Sequence, residues 1–379
     1  MSADLEAQPE PVEVELIGES AEPVVSAPHR IAGGGWAVLS ATGELLLMDG
    51  RLATVGRLPV PEGILPDVLV SAAGPRCRVD VSVDLRFVAF AATDRIVVVD
   101  RNGDVQWQTT HPVPSVDGDD VASCAVFTPD GTSLWAFVPW LTDAGAEPTG
   151  SQQFPASFSV ERRVIDVADW SATARTATGY RCHGEVLVHP DGKHAGYGVF
   201  DGHDGWSFRW VRWDDGHERA VETGSMKPAD IHPSGRRWLA HDDCLLLAGD
   251  LYGDTVSITP VEADEEDTEE DWEDHPYHGY DLDISAACLI TADLVLARCD
   301  DLMEDENHPH LLFRVDPSHS YGPVSYPSTS NFRERSYRGG EVAIASAGDG
   351  TWLTFAPGVD RPHTGRLQRW RLSRPLCSQ

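Results

Sequence analysis

The densest chemistry-bearing stretch is "DEEDTEEDWEDHPYHGYDLD", residues 264–283, where a run of carboxylates ends at His275 and His278. A second group follows in "CDDLMEDENHPH", with Asp300, Asp301, Glu304, Asp305, His308 and His310. Imidazoles with carboxylates are the right ligand types for Zn²⁺ or a similar ion. The spacing matches no ligand motif, however, and the D-x-[DN]-x-[DN]-G calcium pattern is missing. Ten of the thirteen residues 262–274 are acidic. Mutual repulsion and low apolar content therefore predict a solvated acidic loop with no specific metal. No G-x-S-x-G occurs, and a Ser-His-Asp triad is recognised by geometry, which a sequence cannot supply. "AGGGWA" (32–37) precedes a strand and opens no helix, so it reads as a turn and not a phosphate cradle. No catalytic residue, metal ligand or cofactor is assigned.

Aromatic and arginine side chains remain. "NFRERSYRGG" gathers Arg333, Arg335 and Arg338 beside Phe332 and Tyr337, Trp140 opens residues 139–158, and Trp272 interrupts the acidic run. Trp, Tyr and Arg are enriched at the energetic centres of interfaces. The candidate binding residues are therefore Trp140, Trp272, His275, His278, Asp300, Asp301, His308, His310, Arg333, Arg335 and Arg338.

The elements that position these residues come from a repeat. Short runs rich in Val, Leu, Phe and Trp recur between Gly, Pro, Asp and Asn, and no long stretch has helical period. "RFVAFAATDRIVVVDRNGDVQWQTT" (86–110) overlays "GWAVLSATGELLLMDGRLATVGRL" (35–58): strand, turn, strand, turn, strand. A strand can be read before each, at "RVDVSV" (78–83) and "EPVVSA" (22–27). The turn after the first strand recurs as "FTPDG" (127–131), "VHPDG" (188–192) and "IHPSG" (231–235). Pro presets one dihedral and Gly supplies positive φ, so this is a hairpin turn with a mechanism. His189 and His232 occupy equivalent places in it, which argues for a structural role. In "WSFRWVRW" (206–213) the alternating aromatics read as core packing.

Seven units begin near residues 21, 77, 121, 184, 228, 281 and 341. A spacing of about 40–60 residues fits four-stranded propeller blades. The repeats with their "PDG" turns resemble WD40-like and PD40-type β-propellers over about residues 12–375. Only Trp213-Asp214 supplies the Trp-Asp pair of that family, so its hydrogen-bond network is not carried over. The resemblance implies a binding scaffold. The expected fold is all-β: one seven-bladed propeller over 12–376, with six or eight blades as alternatives and 1–11 as a flexible N-terminus. The last unit has three strands, and "VEVELIG" (12–18) is the spare strand expected to close it. Residues 261–280 become an acidic inter-blade loop. In this register the insertions at 59–76, 139–158, 261–280, 299–310 and 326–340 all fall on one face, which marks it for binding.

Charge and cysteine usage bound the partner. Against 61 acids stand 29 lysines and arginines, a net charge of −32. Such a field disfavours nucleic acid and anionic membranes and favours a basic partner. No window approaches a membrane span, and the start carries no basic-then-apolar leader. The seven cysteines are scattered without C-x-x-C, several in apolar runs, which fits a reducing cytoplasm. The expectation is a cytoplasmic, monomeric protein- or peptide-binding scaffold, not an enzyme. The alternative is a propeller enzyme with a site in the central depression, with metal assistance as one variant.

Overall fold

The computed structural model describes residues 11–31, 34–62, 64, 78–92, 94–111, 123–141, 158–179, 181–213, 217–221, 226–242, 245–251, 253, 255–258, 282–301, 310–327, 343–357 and 364–376, except 201–205. Within these, side chains are described for all but a few strand-end residues. The expected flexible segment 1–11 lies outside them except for Pro11. The chain divides into two compact units, Ser20–Pro228 and Met1–Glu19 with Ala229–Gln379.

Among the described residues every regular element is a β-strand. After β1 (Val12–Glu19) come β2 (His29–Ile31), β3 (Gly35–Leu39), β4 (Glu44–Met48) and β5 (Thr54–Pro59), which form one four-stranded sheet in chain order. The second is β6 (Arg78–Val81), β7 (Phe87–Ala91), β8 (Arg95–Asp100) and β9 (Val105–Thr110); the third is β10 (Cys124–Phe127), β11 (Ser133–Leu141), β12 (Phe158–Asp166) and β13 (Ala172–Gly179). The fourth is β14 (Arg181–Val188), β15 (His194–Phe200), β16 (Trp206–Arg212) and β17 (Glu218–Val221), and the fifth is β18 (Lys227–Ile231), β19 (Trp238–His241), β20 (Leu246–Gly249) and β21 (Thr255–Ile258). The remaining strands are β22 (Leu282–Thr291), β23 (Leu294–Asp301), β24 (His310–Arg314), β25 (His319–Ser325), β26 (Ile344–Ser346), β27 (Thr351–Pro357) and β28 (Gly365–Leu372).

The blade expectation requires correction. The hydrogen bonds make five four-stranded sheets and one eight-stranded sheet, ordered β22-β23-β24-β25-β1-β28-β27-β26, and not seven separate blades. The cause is β1. It pairs antiparallel with β28, from Val14 opposite Leu372 to Glu19 opposite Gln368. It also pairs parallel with β25 at Val12–Val324 and Glu13–Ser325, which fuses two strand groups into one sheet. The strand read at 22–27 also moves. The first strand of that sheet is His29–Ile31, and Val24 makes only an isolated bridge to Ser40. Pro23 lies within this stretch and Pro28 follows it, and proline donates no ladder hydrogen bond.

The continuous apolar runs are explained by burial on both faces. In β8, "RIVVVD", Val97 and Val99 join a core with Ala37, Leu39, Leu45 and Leu47 of the first sheet, whereas Ile96 and Val98 join one with Phe127, Leu134 and Ala136 of the third. Period-2 alternation thus divides one strand between two cores. The third sheet repeats the division: Trp135 and Phe137 face Tyr197 and Val211 of the fourth. In the other unit, Leu289 and Val295 pack with Leu239 and Leu246, and Cys288 and Leu296 pack with Trp352, Trp370 and Val14. Phe208 and Trp210 of the aromatic strand are buried, and Trp213 meets Trp135 edge-on at 4.2 Å. Among the described residues no helix is long and apolar enough to cross a membrane.

Carboxylates on first strands join successive sheets. Asp80 on β6 meets His29 Nε2 at 3.0 Å and accepts the Phe127 N–H at 2.6 Å, so one side chain ties β2, β6 and β10. Asp230 on β18 likewise accepts the Leu289 N–H of β22 at 2.9 Å.

The turn after the first strand has one construction in four sheets. The residue in the left-handed region is Leu85, Gly131, Gly192 or Gly235, and its N–H returns to the carbonyl of Ser82, Thr128, His189 or His232. One residue earlier, Asp84, Asp130, Asp191 or Ser234 accepts the N–H two residues on, at 2.8–3.3 Å. Leu85 stands where the others have glycine, and Arg101 donates to the Leu85 and Asp84 carbonyls there. His232 donates from Nε2 to the Gly348 carbonyl at 2.9 Å.

Asp191 is the most heavily engaged of these acids. It meets His194 Nδ1 at 2.7 Å and His189 Nδ1 at 2.9 Å. Burial opposes its ionisation, but the Lys193 N–H and the two imidazoles outweigh burial and hold its carboxyl below the usual aspartate range. A depressed pKa contributes stability above the unfolded value of about 3.9, and that stability is lost as pH falls through the folded pKa. Asp191→Asn is therefore expected to unfold at lower denaturant than the parent at pH 6. The gap should narrow steadily below about pH 4. A gap that stays constant down to acid pH would show that the charge contributes nothing.

Candidate functional site

Strand direction fixes where the long connections attach. Within each sheet the stretches between second and third strands, and those leading from the fourth strand to the next sheet, attach at one end. In the unit holding the eight-stranded sheet, residues 259–281 lead from β21 to β22, 302–309 from β23 to β24, and 328–342 lie between β25 and β26. In the other unit, 60–77, 111–123 and 142–157 attach at the corresponding end of their sheets. The connections at the opposite ends, such as 82–86, 128–132 and 189–193, are the tight turns described above.

Of the candidate residues, Trp272, His275, His278, His308, Arg333, Arg335 and Arg338 lie outside the described residues, as does the acidic stretch 261–280. Trp140 is in β11, opposite Ser159. Asp300 and Asp301 extend β23, opposite Asp283 and Leu282 of β22, so the strand continues into what reads as loop from sequence. His310 also departs from the loop expectation. It is the first residue of β24, opposite Arg298, and is only 3% exposed.

His310 belongs to a buried polar cluster that the sequence did not reveal. Its Nδ1 lies 2.6 Å from the Tyr326 hydroxyl, and the Trp352 indole N–H donates to that same oxygen at 3.2 Å. An indole can only donate, so the tyrosine's own hydrogen is available for the His310 nitrogen. The Tyr326 ring stands edge-on to Trp370 at 4.8 Å, and Trp370 donates to the Thr354 hydroxyl at 2.9 Å. Burial pushes the Tyr326 phenol above the ordinary tyrosine range. The Trp352 hydrogen bond partly opposes this and nearby Cys288 adds to it, so the phenol is neutral at physiological pH.

The cluster has a specific place in the sheet. His310 directly follows the 302–309 connection, and Tyr326 precedes the 328–342 connection by two residues. One hydrogen bond therefore joins the roots of two of the expected binding segments. Asp301 beside Leu282 brings the root of the acidic connector to the same end. Backbone register thus brings together the attachment points of three of the expected segments. Among the described residues, no three of His, Cys, Asp and Glu converge as metal ligands.

No family profile and no curated protein matches the chain. In fold it is similar to the β-propeller domain of Cps50 (Swd1) from Myceliophteria thermophila. That likeness has a TM-score of 0.55 and 11% identity, and covers 95% of this chain and 100% of that one. It is one of 988 solved chains that match, so it shows the β-propeller fold expected from the WD40-like repeats.

Tyr326→Phe keeps the ring packing and removes the hydroxyl shared by His310 and Trp352. Losing a buried partner costs about 1–3 kcal/mol. Denaturant unfolding should register a loss in that range. A loss below about 0.5 kcal/mol would mean that the cluster does not hold the strand ends together.

Proposed function

We propose that the chain is a protein- or peptide-binding scaffold, working in the cytoplasm and not as an enzyme, whose partner docks on the end of the sheets that bears the long connections. The observation carrying this reading is the one-sided attachment of those connections in each unit, with tight turns at the opposite ends. A propeller supplies rigid sheets, and the segments between them carry specificity. The segments rooted at Asp301, His310 and Tyr326 contain the Trp, Arg and acidic residues suited to a polar interface with a central anchor. A net charge of −32 favours a partner with a basic surface, while Arg333, Arg335 and Arg338 provide the opposite sign locally. Cys124, Cys288 and Cys299 are buried among apolar side chains, a usage consistent with a reducing compartment.

The test is affinity capture from the native host with the parent chain and with an Arg333, Arg335, Arg338 triple alanine variant. Exposed ion pairs contribute roughly 0–1 kcal/mol each, so the variant should retain the parental unfolding midpoint closely. It should recover the parent's specific partner at no more than about a tenth of the parental level, the effect of roughly 1.4 kcal/mol. Equal recovery by a folded variant would remove these arginines from the interface.

A further inference from the structure

Strand β1 is far from its sheet neighbours in sequence and contributes little to the core. Of its eight residues only Val14 is buried, packed with Trp352 and Trp370, and Leu16 and Ile17 are 43% and 40% exposed. Its ladder to β28 is interrupted between Leu16 and Gly18, and its pairing with β25 is confined to two residue pairs. Much of the remaining hold is charge at the surface. Arg371 meets Glu15, and Arg366 and Gln368 meet the Glu19 carboxylate, each at 3.1 Å. Exposed pairs of this kind are individually weak.

The edge that β1 covers is also held from its other side. β28 is held by seven residue pairs to β27, from Thr351–Arg371 to Pro357–Gly365. Without β1, that edge would present a row of backbone donors and acceptors beside Arg366 and Arg371, with the seat of Val14 opposite Leu372. Arg369, next along β28, is occupied by Asp349 at 2.7 Å and does not depend on β1.

We propose that the outer edge of β28 is a docking site for an extended acidic strand of a partner protein, and that β1 is its intramolecular occupant. The fitting strand carries a small apolar residue at the Val14 position, an acid directly after it and another acid at the Glu19 position. Backbone pairing supplies affinity, and the two arginines select acidic strands over basic ones. This site is separate from the connection-bearing ends and does not rest on the function proposed above. Because β1 is tethered, it competes at an effective concentration in the millimolar range, and loosening it should raise the affinity for an incoming strand.

The probe is a fluorescein-labelled peptide of residues 11–20, "PVEVELIGES", with a control in which its three glutamates are lysines. Anisotropy is measured with the full chain and with the full chain carrying Glu15→Lys and Glu19→Lys. Those changes replace the ion-pair partners of Arg371 and Arg366 with lysines. The acidic peptide should bind the altered chain at least tenfold more tightly than the parent, and the lysine peptide should bind neither. If the double variant does not fold, Val14→Ala loosens the same strand, and the same ordering is expected. No binding to a folded, loosened chain would overturn the proposal, as would equal binding of the two peptides. A parent chain sedimenting as a dimer that exchanges β1 between copies would overturn it in favour of a second copy as the occupant.

Discussion

An exposed β-sheet edge must be paired or protected, and this requirement governs the unit that contains both ends of the chain. Strand β28 has β27 on one side and an edge on the other. Residues 12–19 cover it, from Val14 opposite Leu372 to Glu19 opposite Gln368. The same strand touches β25, and one eight-stranded sheet results. Trp352 and Trp370 are then fully buried against Val14, which secures the face on which Tyr326 and His310 sit. Edge pairing, core burial and the placement of the segment roots are therefore consequences of one strand.

Elsewhere the same economy recurs on a smaller scale. Each sheet buries both faces, so adjacent residues of one strand serve different cores. Backbone groups at first strands are satisfied by carboxylates of the preceding sheet, as Asp80 does for Phe127 and Asp230 for Leu289. The tight turns at one end are closed by their own Asp and Ser side chains. That leaves the opposite ends for the longer connections.

Much of the fold was legible because its signals are local. Alternating apolar runs and recurrent "PDG" turns mark strands and hairpins through φ preferences and burial. "VEVELIG" stands out because it is apolar and acidic by turns and has no partner nearby in sequence. The number of separate sheets was not legible. It depends on the two residue pairs between β1 and β25, which no composition or period encodes. Residues 22–27 look like a strand by apolar content, but Pro23 within them and Pro28 after them remove ladder donors, and the strand forms at His29–Ile31 instead. Leu85 escaped notice in its turn because a left-handed leucine leaves no sequence signature, whereas Gly131 does. His310 read as loop because it follows an acidic, proline-containing stretch, yet its Nδ1 is bonded to a tyrosine distant in sequence. Asp80 and Asp230 did carry a signal, a lone carboxylate inside "RVDV" and "PADI", and it is the kind that repeat counting overlooks. The seven candidates outside the described residues, from Trp272 to Arg338, rest on residue type alone, and only the attachment points of their segments are fixed by strand register.

Thermal unfolding of the chain with residues 1–19 removed tests the edge-pairing account most directly. Removal exposes Trp352, Trp370 and the β28 ladder; burial of a side chain the size of Val14 alone is worth about 1.5–3 kcal/mol. The account predicts a melting temperature lower by several degrees, with concentration-dependent aggregation from the opened edge. A truncated chain that melts at the parental temperature and stays monomeric at high concentration would contradict it.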